Sequence, residues 1–486
     1  MSVGSRTAIP RRASLAGSLA GVLALGAVIV AGTTAAYATE TLALKTVVSI
    51  PGGKITSFDI SFVDPAAGYY VLGDRTNKGV DVISTTTNTL QFIAGQGLFK
   101  GVAHNADGSA NNNLSGPDGA MIVRSREIWA GDGDSTLKIL SLDNGALLAT
   151  ISTGGAFRVD EMCYDAVHNI GFVANNADSP PFITAIDART HSVIGKIVFD
   201  GTKGTPNATN GIEQCQWNPR DGMIYVAVPE VGGPGDNSFP GGVARINPVT
   251  NLVVSTAIVP ITSCSGPQGL AIGPATLAGG QMLLGCNGAV ANAPVNRPTA
   301  IIADGTGGGA AFGTVLFTLP FQAGNDMVWY NSGDNHYYLA RSGNNSYVNP
   351  SPNPVVLGCP TTAGATNYGA NIYTSQAIQG PSYSTVLAGP TALGMVNAAT
   401  GISNADTIIG LGNCPANAPG PLGVGTAGVA NLHGTNHSVA ADSVHNYIYV
   451  PIASTAFATG MTGPCTAGGG LDANGCIAVY HTVGTD

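Results

Sequence analysis

A unit of four short apolar segments separated by turns recurs seven times along this chain of 486 residues. In each unit an apolar strand is followed by a turn rich in Asp, Asn, Pro and Gly, a second strand, a polar loop, and a third strand with its own turn. Six units then end in a fourth strand. The first turns read VDPAAG (63–68), RSRE (124–127), DAVHN (165–169), NPRDG (218–222), GPATLAGG (273–280), NSGDN (331–335) and DSVHN (442–446). Seven repeats of four short strands predict an all-β fold, a seven-bladed β-propeller.

The two ends of the chain are predicted to share one blade. The seventh unit reaches Asp486 without a fourth strand, whereas LALKTVVSIPGG (42–53) reads as a fourth strand without a unit. Pairing of this segment with the last blade would close the ring and remove two exposed sheet edges. We therefore expect a single propeller domain over residues 39–486, with an irregular insertion at about 341–392 inside the sixth blade.

The first 38 residues have the pattern of an export signal. Arg11 and Arg12 precede a small-residue apolar run, and AYA (36–38) provides an A-x-A cleavage site. The run is about 17 residues long, near the lower limit of a membrane span, so a retained anchor is the alternative to cleavage. We expect a periplasmic or secreted bacterial protein with no stable membrane span after cleavage, exported by the general or the twin-arginine route.

The composition favours a large folded core and argues against nucleic acid as a partner. Hydrophobic residues make up 44% of the chain and charged residues only 10%, with 68 Gly and 29 Pro to supply tight turns. The net charge is −9 and no cluster of Lys and Arg forms a basic groove.

Eight cysteines are expected to form disulfides. Their number is even, no C-x-x-C motif is present, and an exported protein meets an oxidising environment. Eight cysteines allow 105 pairings. Cys163 and Cys215 occupy equivalent places in successive repeats, and the simplest partners for the rest are Cys264 with Cys286, Cys359 with Cys414, and Cys465 with Cys476.

The strand endings YVAV, FVAN and YIYVP, each followed by a pattern of the form V-x-x-I/V-D-x-x-T-x-x-V, resemble the YVTN-type seven-bladed propeller family of exported and surface proteins. The resemblance covers nearly the whole mature chain. It implies the fold more strongly than an activity, because such propellers include binding proteins, surface-layer proteins and relatives of quinoprotein and lactonase enzymes.

Polar residues stand near the start of the innermost strand in every unit and are predicted to ring the central channel. They are Asp59, Asp118, Asp160 with Glu161, Glu213, Gln268, Asp326 and His437. Facing carboxylates either bind a hard cation such as Ca²⁺ or repel one another and acquire raised pKa values. The candidate metal ligands are therefore Asp59, Asp118, Asp160, Glu213, Asp326 and His437, and Gln268 is a candidate ligand-binding residue. The alternative is that these side chains cap backbone N–H groups of neighbouring blades.

The loops between second and third strands open onto the same rim and carry further candidates for ligand binding. These are Asp74, Arg75, Asp132, Asp134 and Asp178. The alternative for each carboxylate is an Asx turn in a solvated loop. GDGDST (131–136) is similar to part of a calcium loop but lacks the EF-hand spacing.

The histidines divide between the two rims. His104 and His433 are predicted on the channel rim and are candidate ligand-binding residues, whereas His168 and His445, in the DAVHN and DSVHN turns, are predicted on the opposite, scaffolding rim.

We expect an exported, non-catalytic propeller whose channel rim binds a ligand, glycan or protein, with room for a divalent cation in the channel. The alternative is a metal-dependent, lactonase-like hydrolase or lyase, in which the cation polarises a carbonyl and His437 or Glu161 moves the proton. A third function, that of a quinoprotein-type oxidoreductase, has no visible cofactor anchor. The sequence contains no G-x-S-x-G elbow, P-loop or C-x-x-C-H haem motif.

Overall fold

In the part of the chain that the structure describes, seven four-stranded antiparallel sheets form the blades of a β-propeller. The first strands of neighbouring blades contact one another in an unbroken ring, from blade 1 through blade 7 and back to blade 1. The fold class predicted from the sevenfold repeat is therefore confirmed.

A computed structural model describes residues 41–51, 53–276, 279–286, 299–319, 324–341, 346–349, 385–388, 392–399, 407–408, 437–454, 465 and 474–483. The predicted signal peptide (1–38) lies outside the described residues, as do His433, Cys359, Cys414 and most of the predicted insertion at 341–392. Residues Thr39–Asp486 form one compact unit.

The four strands of each blade follow chain order from the channel outward. Blade 1 consists of Ser61–Asp64, Tyr69–Asp74, Gly79–Ser84 and Thr89–Ala94; blade 2 of Ala120–Val123, Glu127–Gly131, Thr136–Ser141 and Leu147–Ser152; blade 3 of Met162–Asp165, Ile170–Asn175, Phe182–Asp187 and Ser192–Val198. Blade 4 consists of Cys215–Asn218, Met223–Val228, Gly242–Asn247 and Leu252–Ile258; blade 5 of Pro267–Thr276, Gly279–Cys286, Thr299–Ala303 and Val315–Leu319; blade 6 of Asn325–Asn331, His336–Arg341, Ala392–Asn397 and Thr407–Ile408.

Blade 7 joins the two ends of the described chain. Its strands are Ala440–Asp442, Tyr447–Ile452, Cys476–Val483 and, outermost, Thr41–Val48. The last two pair antiparallel from Thr41 opposite Val483 to Val48 opposite Ile477, with one irregularity between Leu44 and Thr46. The predicted closure by an N-terminal strand is confirmed.

The core consists of apolar layers between adjacent blades. Middle strands such as Gly79–Ser84 are almost entirely buried because a neighbouring blade covers each face, whereas the outermost strand Thr89–Ala94 has exposed residues. At the closure, Tyr70 of blade 1 stacks on Tyr449 of blade 7, with ring centroids 4.8 Å apart. Burial of these layers provides the main stabilisation of the ring.

Three of the four predicted disulfides lie within the described residues and all three are formed. Cys163–Cys215 joins the first strands of blades 3 and 4, Cys264–Cys286 lies in blade 5, and Cys465–Cys476 lies in blade 7, with Cα atoms 5.4–5.5 Å apart. The predicted Cys359–Cys414 pair lies outside the described residues.

The DAVHN and DSVHN turns shape the ends of first strands. In each turn the Asp accepts backbone N–H bonds and its carboxylate contacts the histidine Nδ1, at 2.6 Å between Asp165 and His168 and 2.5 Å between Asp442 and His445. These turns connect first to second strands and therefore lie at the end of the channel away from the polar residues that precede the first strands.

The insertion in blade 6 was predicted to be irregular, but part of it is regular. Ser346–Asn349 pairs antiparallel with Thr385–Ala388 in a separate two-stranded sheet. Among the described residues, no helix has the length and apolar character needed to cross a membrane.

Deletion of residues 39–53 is expected to abolish cooperative folding, because blade 7 would lose its outermost strand and the ring its closing contact. Thermal unfolding followed by circular dichroism measures this. Removal of residues 1–38 alone is the control and should leave the melting temperature unchanged. Normal melting of the 39–53 deletion would show that the strand is dispensable.

Candidate functional site

The polar residues predicted from the repeat converge at one end of the channel, which we call the channel mouth. Two residues before the first strands of blades 1–4 stand, in order, Asp59, Asp118, Asp160 and Glu213. Asp326 is the second residue of the first strand of blade 6, and His437 precedes that of blade 7. Close approach of the blades depends on small residues here: a Cβ on Gly119 would overlap the carbonyl oxygen of Asp160.

Arg75 is the central cation of the mouth. Its guanidinium forms ion pairs with both Asp59 and Asp118, and Nη1 donates to Asn112 Oδ1 at 2.6 Å. The side chain is only 4% exposed. Arg75 was predicted as a ligand-binding loop residue; the structure places it inside the site, where it holds two blades together.

Arg158 is a second cation that the sequence reasoning missed. Its Nη2 lies 2.7 Å from Asp160 Oδ2, and Nη1 donates to the backbone oxygen of Asn112 at 3.3 Å. Asn112 therefore holds both arginines from the connection between blades 1 and 2. The available signal was the position of Arg158, two residues before a predicted ring carboxylate in FRVDE.

His437 completes the cationic set. Its Nε2 lies 2.7 Å from Asp59 Oδ1 and 2.6 Å from Asp326 Oδ2. Burial alone would lower the pKa of His437, but the two carboxylates outweigh it and raise the pKa well above its usual range. The imidazole is therefore held as a cation and has no free nitrogen to act as a base near neutral pH.

The carboxyl groups of the mouth have divergent pKa values. Burial would raise the pKa of Asp59, but Arg75 and His437 hold it below its usual range. Burial raises the pKa values of Asp118, Glu161 and Glu213 well above theirs, and nearby carboxylates add to the effect. Three described cations, Arg75, Arg158 and His437, face the six carboxyl groups of Asp59, Asp118, Asp160, Glu161, Glu213 and Asp326. Protons retained on carboxyl groups with raised pKa values therefore balance the excess negative charge.

The alternative in which the ring carboxylates cap backbone N–H groups is not what the described residues show. Their hydrogen bonds come from side chains: Arg75 to Asp118, His437 to Asp326, and Asn176 to Asp160 at 2.7 Å. Within the described ranges, no group of three or more His, Cys, Asp or Glu is arranged to hold a metal ion. The predicted channel cation stays a prediction.

The loop carboxylates mostly serve local structure. Asp178 accepts the backbone N–H of Ala156 at 2.8 Å, and Asp134 accepts the hydroxyl of Thr136 at 2.5 Å. Asp132 is buried and lies 2.5 Å from Lys138 Nζ, so the expectation of a solvated loop residue is wrong for it.

The last two candidates differ in position. His104 is exposed on the connection between blades 1 and 2. Gln268 has the ring position of blade 5, because its backbone oxygen accepts from Gln214 N at 3.1 Å as that of Asp118 accepts from Ile60 N at 3.3 Å.

Asp74 is also fully buried rather than solvated, beside Asp81 in the third strand of blade 1. Burial raises the pKa of Asp74 to about 6, although Asn77 lowers it by donating from its side chain at 2.5 Å and its backbone at 3.0 Å. Burial and Asp74 together raise the pKa of Asp81 well above its usual range. No donor among the described residues reaches either oxygen of Asp81. A proton shared by the two carboxyls satisfies both.

A cavity of about 660 Å³ opens on this rim beside the mouth. It lies between the loops of blades 3 and 4. Its polar lining includes Arg158, Asn176, Asp178, Thr209, Asn210 and Glu213. Asn176 is 6% exposed, and its Oδ1, like Thr209 Oγ1, has no hydrogen-bond partner among the described residues. The volume is typical of small-molecule sites.

Arg75→Met is expected to lower the free energy of unfolding by about 3–5 kcal/mol near neutral pH, because it leaves buried carboxylates without their cation. The loss should shrink as the pH falls below about 4, because the stabilisation from the depressed pKa of Asp59 is present above the unfolded-state pKa and is lost as the pH falls toward the lower folded-state pKa. Urea unfolding measures both. The control Arg189→Met removes an exposed arginine and should change little; an equal, small effect of both substitutions would contradict a structural role of Arg75.

Asp81→Asn is expected to raise the free energy of unfolding by about 1–3 kcal/mol near neutral pH. A carboxyl whose pKa is raised on folding stabilises the fold fully below about pH 4, and this stabilisation is lost as the pH rises through the folded-state pKa, which is about 6 for Asp74 and well above the usual range for Asp81, so the wild-type chain loses stability as the pH rises above about 4. The substituted amide does not ionise, so the free energy of unfolding of this variant should depend less on pH than that of the wild-type chain. Asp143→Asn, at an exposed turn, is the control; a parallel profile for Asp81→Asn would refute the shared proton.

Comparisons with known proteins support the fold and no more. No family model and no curated protein matches the chain. The solved structure described as "Crystal structure of RRP9 WD40 repeats" matches 92% of this chain and 99% of its own, with 8% sequence identity and a TM-score of 0.50. That described as "Structure of U3-55K" matches 90% and 98%, with 8% identity and a TM-score of 0.49. The seven-bladed propeller is therefore shown, and the YVTN-type resemblance stays a prediction.

Proposed function

We propose that this chain is an exported binding protein that holds a small, polyhydroxylated ligand, such as a glycan unit, in the cavity between the rim loops of blades 3 and 4. The observation that carries the proposal is the 660 Å³ cavity with buried polar atoms that have no described partner. A hydroxylated ligand would provide the hydrogen bonds those atoms lack.

The lining offers both donors and acceptors, which suits hydroxyl groups. Asn176 presents its amide oxygen, since its nitrogen already donates to Asp160, and Asn210 presents an amide whose nitrogen also donates to Asn237. Asp178 presents carboxylate oxygens. Burial raises the pKa of Glu213, with Asp326 and Asp160 adding to the rise, so this carboxyl keeps its proton near neutral pH and can donate as well as accept. A concave cavity favours a small molecule or a glycan unit over the flat surface of a protein partner.

The positive charge of Arg158 is already neutralised. Its guanidinium pairs with Asp160, and Asp118 and Asp59 add to the negative potential around it. A strongly anionic ligand would therefore meet no excess positive charge. This supports a neutral ligand.

Export is supported by the A-x-A pattern at 36–38 and by three disulfides, which persist in oxidising compartments. The metal-dependent hydrolase or lyase has no comparable support among the described residues. There Arg75, Arg158 and His437 occupy the acidic mouth where that mechanism requires a metal.

Asn210→Ala is expected to weaken binding about tenfold, because it removes one amide at the cavity wall. The measurement is isothermal titration with the best ligand from a panel of neutral mono- and oligosaccharides screened by thermal shift. Asn210 is half-buried and donates to Asn237 Oδ1 at 2.8 Å, so melting of the variant is measured first.

The matched control is Asn144→Ala, in an exposed turn at the other end of blade 2, which also removes one local hydrogen bond. It should leave affinity unchanged. Equal affinities of wild-type protein and Asn210→Ala, or no saccharide bound by the wild-type protein, would contradict the proposal.

A further inference from the structure

A second, smaller cavity lies within the channel, beyond the charged mouth. It has a volume of about 160 Å³ and is lined by first strands of blades 1, 2, 3, 4 and 6, at positions that follow the mouth carboxylates along each strand. An apolar cavity of about 150 Å³ holds a molecule the size of benzene. The channel therefore has room for a small organic molecule of about five to seven heavy atoms.

Four aromatic side chains from four blades line this cavity: Phe62, Tyr164, Trp217 and Trp329. Each is only partly buried, whereas the aromatic side chains between blades, such as Tyr70 and Trp129, are fully buried. Phe62 and Trp329 meet edge to face, with centroids 5.4 Å apart and planes at 77°. Aromatic faces attract cations through their quadrupole, Trp most strongly.

Glu161 provides the one ionisable carboxyl among the described lining residues. It is 3% exposed, and the strongest electrostatic effects on it come from other carboxyls, namely Asp160, Glu213, Asp326 and Asp59. Burial first, and then these neighbours, raise its pKa well above the usual range.

The two other large polar side chains in the lining, Gln214 and Gln216, are neutral amides. Gln214 Nε2 donates to the backbone oxygen of Val328 at 3.1 Å, and its Oε1 accepts from Leu270 N at 2.8 Å and Val328 N at 3.2 Å. Gln214 therefore connects blades 4, 5 and 6 and is not free to bind a ligand. Glu161 is the one acidic group in the described lining, so it distinguishes a cation from a neutral ligand.

We propose that this channel cavity, which is separate from the rim cavity, binds a small organic cation of the alkylammonium class, with its charge against Glu161 and its alkyl groups against the aromatic side chains. The buried carboxyl group of Glu161 and the faces of the aromatic side chains together offer a cation an environment of negative potential. A neutral molecule of the same size gains the apolar contacts only.

Isothermal titration with tetramethylammonium and with tert-butyl alcohol, which have the same number of heavy atoms, tests the proposal. Tetramethylammonium is expected to bind at least about tenfold more tightly, because only the cation gains from the aromatic faces and the carboxylate.

Glu161→Gln should abolish the preference for the cation. Trp217→Leu should weaken cation binding at least about tenfold, and Phe62→Leu provides a second test should the Trp217 variant melt early. Phe317→Leu, at a partly exposed position on the outermost strand of blade 5, is the matched control and should bind like wild type. No saturable binding of tetramethylammonium, equal binding of the alcohol, or an unchanged preference in Glu161→Gln would overturn the proposal.

Discussion

The pairing of Thr41–Val48 with Cys476–Val483 is the constraint on which the rest of this structure depends. A propeller blade cannot bury its faces alone, and an open ring would leave two sheet edges and two apolar faces in water. Once the first and last segments of the domain share blade 7, every blade has two neighbours. The stacking of Tyr70 on Tyr449 and the bond between the hydroxyls of Ser61 and Ser438, at 2.7 Å, both depend on that closure.

Closure of the ring also brings acidic side chains of several blades close together at the channel mouth. Each blade begins its first strand at the same end, so the acidic residues of blades 1, 2, 3, 4 and 6 meet in a ring of carboxyls. Arg75, Arg158 and His437 neutralise part of this charge, and protons retained on Glu161 and Glu213 reduce the rest. The mouth is thus built as a network of ion pairs between blades, in which loss of one cation leaves buried charge.

The two cavities differ because they are bounded by different parts of the blades. The rim cavity lies between loops, whose Asn, Asp and Thr side chains provide hydrogen bonds. The channel cavity lies between strands, whose inward positions carry Trp, Tyr, Phe and Met. One fold therefore offers a polar and an aromatic site along one side of its axis, and each suits a different ligand chemistry.

The repeat in the sequence was sufficient to predict the seven blades, the closing strand, three described disulfides and the residues of the acidic ring, because blade periodicity assigns each residue a height along the channel. It could not predict the partners of those residues. Arg158 and Asn112 lie in connections outside the repeat pattern, and the partner of Asp81 lies in another strand of its blade. The sequence by itself determined which residues reach the mouth; only the tertiary structure decided that cations and retained protons balance them, because the charge of a buried group depends on neighbours that are distant in the chain.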